Sequence, residues 1–295
     1  MTVVETAKQD KAELTRGQHR RGVLVLMFVT FLWGTTFVVL QQVQQTVPPS
    51  AVLASRFVLA ALCFLPFIMR TSGGMWLAGL ELGAWLCVGY GTQAVGLLST
   101  TVERSAFVTT LHVVIVPLVV ALMRHRVQRT VWVGAGLALL GTALLCNAGG
   151  RPTAGDAWTA LCAVAWAGYI VRLEAYSKRF ASLPLTVTQT IVVAVLCVVW
   201  AACDPSTRHV QMSAVPWLWL VYLGVITTAG TVWLQTVGQR HVPAPQAAVI
   251  YSMEPVWASV IAFAVIGSTL TAWGLAGAGA IVAGMLVAQW RGRSA

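Results

Sequence analysis

Arg56, Glu81, His112 and Glu254 are ionisable side chains embedded in long apolar runs, and each is a candidate for chemistry on a solute. A guanidinium offers a planar fork of donors that suits a carboxylate or phosphate. Arg56 is the one basic group at its depth. It either holds the acidic group of a substrate or pairs structurally, with Glu81 or with carbonyls at a helix end. Glu254 precedes Pro255, which lacks an N–H and frees the carbonyl of Tyr251, so a kink is expected there. Three roles are open to Glu254: binding a substrate amine, carrying a proton, or resting protonated against a neighbouring helix. His112 stands five residues before Pro117, the second expected kink, on one helix face with Thr109 and Val116. Its charge changes nearest neutral pH, so proton coupling competes with a plain buried, hydrogen-bonded histidine. For Glu81, about a turn inside its run, proton coupling competes with snorkelling to water. Trp33, Trp166 and Tyr251 supply flat faces for stacking on a solute, with core packing as the alternative. The candidate binding set is therefore Arg56, Trp33, His112, Trp166, Tyr251 and Glu254.

Catalysis finds no foothold. No HExxH, GxSxG or phosphate-loop GK-[ST] motif occurs, and Asp156 and Asp204 fall in loops. No second His, Cys or acid sits at metal-ligand spacing around His112. The six cysteines form no CxxC pair and read as small buried hydrophobes. Neither enzyme activity, cofactor nor metal is expected.

The elements that position these residues follow from composition. Of 295 residues 58% are hydrophobic and 9% charged, against about 45–50% and 25% in soluble domains. Lipid is the solvent that accommodates this surface. A crossing helix needs about 20 mostly apolar residues. Breaking the chain at charges, prolines and glycine clusters predicts ten spans: 23–41, 51–69, 76–98, 105–123, 130–147, 155–171, 184–202, 215–237, 244–266 and 272–290. Val23 onward is read as a retained first span, not a cleaved signal. With the N-terminus inside, 15 Lys and Arg face the cytoplasm, and Arg104, Arg151 and Arg208 alone face out. Both termini are expected in the cytoplasm and the protein in the cell (inner) membrane. The net charge of +10 is a topology signal, dispersed at helix ends, and no nucleic-acid partner is expected.

The chain also resembles itself. Ala106 to Pro117 and Ala244 to Pro255 span the same 11-residue gap, and Gly134, Gly136 and Gly141 repeat at the spacing of Gly277, Gly279 and Gly284. Trp33-Gly34 has a weaker echo in Trp166-Ala167-Gly168. A repeat of five helices is odd, so its second copy enters the membrane inverted, as in secondary transporters. The expected layout is a tail at 1–22, a first five-helix repeat at 23–147, an inverted second at 148–290 and a tail at 291–295. Ala276, Ala280 and Gly284 form a small-residue ridge that serves either packing within the monomer or a homodimer through the fifth and tenth helices.

Phe31-Leu32-Trp33-Gly34-Thr35-Thr36-Phe37, Arg56-Phe57-Val58-Leu59-Ala60 and Met253-Glu254-Pro255-Val256 resemble signature segments of the EamA family in the drug/metabolite transporter superfamily. The resemblance extends over all ten spans. It implies an all-α membrane fold of ten helices, a central cavity with spans five and ten peripheral, and export of amino acids or other small metabolites. One departure stands out. Family members often carry a Glu after spans four and nine, where this chain reads Met123-Arg124-His125-Arg126 and Ile266-Gly267-Ser268-Thr269. The family's coupling mechanism is therefore not carried over. The expected function is a carrier that rocks its halves about a site bounded by spans one, two, four, six, seven and nine, with a channel or a non-transporting subunit as alternatives.

Overall fold

Residues 3–44, 46–146, 153–209, 215–267 and 271–290 are described by the structure, a computed structural model. Arg151, the Ser268-Thr269 stretch and the 291–295 tail lie outside them. Helix accounts for nearly all of the described residues, and no strand occurs among them. In chain order the helices are α1 (Val3–Val43), α2 (Pro49–Phe64), α3 (Gly73–Gly96), α4 (Val102–Thr110), α5 (His112–Leu122), α6 (Arg129–Cys146) and α7 (Ala154–Arg179). They continue with α8 (Ser182–Cys203), α9 (Trp217–Val221), α10 (Thr231–Gln239), α11 (Ala244–Tyr251), α12 (Glu254–Ile266) and α13 (Ala272–Gln289).

Among the described residues eight helical stretches are long and apolar enough to cross a membrane. The ten expected from sequence include two more. The predicted spans 23–41 and 76–98 lie on α1 and α3, outside the eight. The side chains of α1 are described only in part, and in α3 recurrent glycines with Glu81 and Gln93 dilute the apolar content. Helix α1 begins at Val3, well ahead of the apolar run, because residues 3–22 draw heavily on Ala, Glu, Lys, Gln and Arg and lack proline. Large apolar side chains such as Phe28, Leu77, Leu140, Val199, Phe263 and Leu286 stay exposed around the perimeter. With lipid as the solvent, that perimeter is its natural face. The chain is an all-helical, multi-pass membrane protein.

Three crossings are interrupted, and each interruption lies beside the cavity described below. Between α4 and α5 the chain turns at Leu111, six residues before Pro117. Between α11 and α12 it turns at Ser252 and Met253, directly ahead of Pro255, whose missing N–H leaves the Tyr251 carbonyl without its helical donor. Between α9 and α10, Tyr222–Gly230 winds as a wider π-helix. There the Thr228 hydroxyl donates to the Leu223 carbonyl five residues back at 2.6 Å. Such widened turns recur at functional sites.

Glycine sets the closest helix contact. A Cβ built on Gly134 would sit 2.6 Å from the Gly284 carbonyl oxygen, and one on Gly277 would sit 2.5 Å from that of Gly141. Helices α6 and α13 therefore pack backbone to backbone within one chain. Gly136 and Gly279, the middle members of the two triplets, face open space.

Candidate functional site

A cavity of about 1080 Å³ of empty space, its open mouth included, lies among α1, α2, α3, α4, α5, α7 and the α11–α12 break. Trp33, Arg56, His112, Trp166, Tyr251 and Glu254 all line it. Leu40 and Gln44 at the end of α1, Leu97 after α3 and Ser105 at the start of α4 mark its mouth. The floor is aromatic. The Trp33 ring lies 5.8 Å from Trp166 and 5.3 Å from Tyr251 by centroids, and Trp166 lies 5.2 Å from Tyr90.

Arg56 reaches the cavity from the buried face of α2 that also carries Leu53, Phe57 and Ala60. Only 3% of it is exposed. Its Nε donates to Thr228 Oγ1 at 3.0 Å, where the π-helix brings Thr228 forward. Its guanidinium carbon stands 5.2 Å from the centre of the Tyr90 ring. Among the described residues no carboxylate lies within ion-pair distance of it, and its terminal nitrogens make no hydrogen bond. The alternative of a structural pair with Glu81 is absent: Glu81 is taken by Arg172, at 2.5 Å from Nε and 2.8 Å from Nη2. Tyr176 also donates to Glu81, at 2.5 Å. That trio lies outside the cavity, at the end of the molecule away from its mouth.

Glu254 opens α12 just past the break, at the head of the turn that Pro255 begins. No ion pair or hydrogen bond holds its carboxylate among the described residues. It makes no ion pair with Arg56 among the described residues. The Nδ1–H of His112 donates to the Thr109 carbonyl at 2.7 Å, across the α4–α5 turn. Trp33 Nε1 and Ser105 Oγ are buried without a hydrogen-bond partner. The cavity thus offers one unpaired guanidinium, one unpaired carboxyl group, a histidine, spare polar atoms and four aromatic faces.

Tyr90, Gln93 and Thr36 line the same space and were not singled out by sequence. They come from α3, which the sequence reading left out of the site's boundary, and from the second threonine of the Trp33 segment. No residue of α8, an expected wall, lines the cavity. Pro117 sits inside α5, facing the core, and does not line it either. All six cysteines are free thiols, and no cluster of three or more metal-ligating side chains occurs among the described residues.

At the opposite end the helices are sealed by polar bonds. Tyr169 donates to Gln189 Oε1 at 3.1 Å, and Gln189 donates to Thr236 Oγ1 at 3.1 Å. Tyr251 donates to Gln239 Oε1 at 3.1 Å, Gln239 donates to the Ile170 carbonyl, and the Ala244 N–H donates to Glu174 at 2.6 Å.

Comparison with known proteins gives a consistent picture. The EamA-like transporter family matches this chain twice, over residues 20–147 and 153–289. An uncharacterized transporter of Archaeoglobus fulgidus is 29% identical over 270 residues, covering 91% of this chain and 85% of its own. A second uncharacterized transporter of that organism is 37% identical over 75 residues, 25% of this chain and 27% of its own. A solved crystal structure superposes with a TM-score of 0.77 at 19% identity, over 92% of this chain and 98% of its own, a likeness of fold.

Proposed function

The chain belongs to the EamA-like transporter family, and from that premise we propose that it is a secondary carrier exporting small zwitterionic solutes, amino acids foremost, by alternating access. The observation that carries the reading is an unpaired Arg56 and an unpaired Glu254 in one aromatic-walled cavity. Burying a charge away from water costs several kcal/mol unless a partner replaces the lost solvation. A zwitterion supplies both partners at once, its carboxylate on the Arg56 fork and its ammonium opposite Glu254. The rings of Trp33, Tyr90, Trp166 and Tyr251 then take an apolar or aromatic side chain.

The ten-helix reading adds α1 and α3 to the eight apolar crossings. Two separate family matches of similar length support two halves, and the odd number of crossings in each half makes the second copy inverted. The distribution of Lys and Arg supports cytoplasmic termini in the cell membrane. On that orientation the cavity opens outward and the polar seal faces the cytoplasm, which favours a carrier over a pore. The fifth and tenth crossings, α6 and α13, use their buried glycines on each other, Gly284 of the small-residue ridge included, so a homodimer through their outer faces has exposed Ala276 but not the whole ridge. Glu254 and His112 are the cavity groups able to take up a proton, whereas Glu81 is held in its ion pair.

Protein in liposomes preloaded with L-phenylalanine, a zwitterion with one aromatic ring, tests the reading. Saturable counterflow of labelled L-phenylalanine is expected; linear, unsaturable flux would make the protein a channel, and no flux would leave it a non-transporting subunit. Glu254→Gln should raise KM for L-phenylalanine about tenfold, the value of one charge-assisted hydrogen bond of roughly 1.5 kcal/mol. It should leave binding of 3-phenylpropionate, which lacks the ammonium, unchanged in a thermal-shift measurement. Equal losses for both ligands would remove the ammonium from Glu254.

A further inference from the structure

We infer that the sealed end of the molecule holds a second solute site, built from Tyr169, Gln189, Thr236 and Gln239, which takes the same zwitterion when the first cavity closes. The inference rests on the carrier reading above. Its physical basis is a cluster of neutral polar side chains where packing alone has no use for them. Gln189, Thr236, Gln239 and Tyr169 are each fully buried, and they are drawn from α7, α8 and α10. Buried amides and hydroxyls are costly unless hydrogen-bonded, and apolar side chains of the same volume fill a helix junction without that requirement. Here the amides and the Tyr169 hydroxyl bond within the set, to Tyr251 and to the Ile170 carbonyl, and Thr236 donates in turn to the Val232 carbonyl. Even so, Thr190 Oγ1, next to Gln189 on α8, is left buried without a partner. Spare hydrogen-bonding capacity of this kind is open to the polar groups of a solute.

The internal repeat points to the same residues independently. Trp33 and Trp166 stand 133 residues apart, and the first residues of α2 and α8, Pro49 and Ser182, are separated by the same 133. In that register Thr36, which lines the open cavity, corresponds to Tyr169, and Arg56 corresponds to Gln189. Two residues of the open cavity thus have as their counterparts two members of the sealed network. Tyr251 joins the two sites, lining the open cavity with its ring while its hydroxyl bonds Gln239. The substitution of an amide for the guanidinium gives the pair a direction of preference. The open site holds a carboxylate by charge and the sealed one by neutral donors, so the second site is the weaker.

Thr236→Cys in a version of the full chain lacking its six native cysteines tests the site, in inside-out membrane vesicles and with L-phenylalanine as solute. Slow labelling by a membrane-impermeant maleimide is expected, accelerated at least fivefold by L-phenylalanine, and the labelled protein should lose exchange. Gln189→Leu should retain L-phenylalanine binding within twofold by thermal shift while exchange falls at least tenfold, a split that a structural defect would not produce. Exchange that persists with Thr236→Cys inaccessible, or full exchange by Gln189→Leu, overturns the second site. Absence of exchange by the unsubstituted protein overturns the carrier reading itself.

Discussion

Arg56→Ala is expected to lower kcat/KM for a zwitterionic solute at least 100-fold while leaving the helical fold and melting temperature near those of the unsubstituted protein. The magnitude follows from the strength of the pairing that the substitution removes. A forked, charge-assisted pair in a site shielded from water is worth about 3 kcal/mol, and each 1.4 kcal/mol is a factor of ten. The preserved fold follows from what Arg56 lacks. Among the described residues no carboxylate pairs with it, so its removal strands no buried anion. The one hydroxyl it releases, on Thr228, keeps its own bond to the Leu223 carbonyl. Arg56→Lys retains the charge without the fork and should recover part of the loss. Counterflow in liposomes with circular dichroism on the same sample checks both claims. Undiminished transport by Arg56→Ala would remove it from the site, and loss of the fold would make it a structural residue.

Gly277→Val should prevent stable folding, with yield and thermal stability both collapsing. The Cβ alone would lie 2.5 Å from the Gly141 carbonyl oxygen and 2.6 Å from the Leu145 nitrogen, both backbone atoms. No rotamer change relieves such a clash, so α6 and α13 must separate along their length. Overpacking a core costs about 1–3 kcal/mol where side chains can give way, and a backbone contact that cannot yield lies at or beyond the upper end. The same triplets contain the control. Gly136 and Gly279 meet nothing within 4 Å, and Gly279→Ala should be neutral or stabilising, by up to about 1 kcal/mol of helix propensity. Size-exclusion profiles and melting temperatures of the two variants in detergent decide it; equal behaviour would mean that the helices do not meet through these glycines.

The helix positions and half of the site were legible because lipid makes certain residues conspicuous. A guanidinium or carboxylate at membrane depth, such as Arg56 or Glu254, stands out against an apolar run whatever the fold. The same logic picked out Glu81 but could not see Arg172, 91 residues away in sequence, so a held ion pair was indistinguishable from a free acid. Tyr90, Gln93 and the Gln189–Gln239 network gave no such signal. Neutral polar and aromatic side chains fit either packing or a passage, and only the meeting of α3, α7, α8 and α10 in space separates the two. The small-residue ridge at Ala276, Ala280 and Gly284 pointed to a close contact without saying which residues make it, and Gly284 makes it while Ala276 stays exposed, since that depends on how the helix is rotated about its axis. The glycines of α3 likewise admit neighbours at close range: a Cβ on Gly79 would collide with the Thr188 hydroxyl.

The glycine clasp between α6 and α13 has a mechanical consequence. Two rods meshed at the level of their peptide groups have no pliable side chains between them to cushion sliding, so they act as a fixed axle. Any reshaping of the interior must then be taken up by joints elsewhere. The turns at Leu111 and at Ser252–Met253 are suited to this, because both have already given up helical hydrogen bonds and bend without breaking more. Each of those crossings is a pair of short levers, free to tilt about its elbow while the rim holds still.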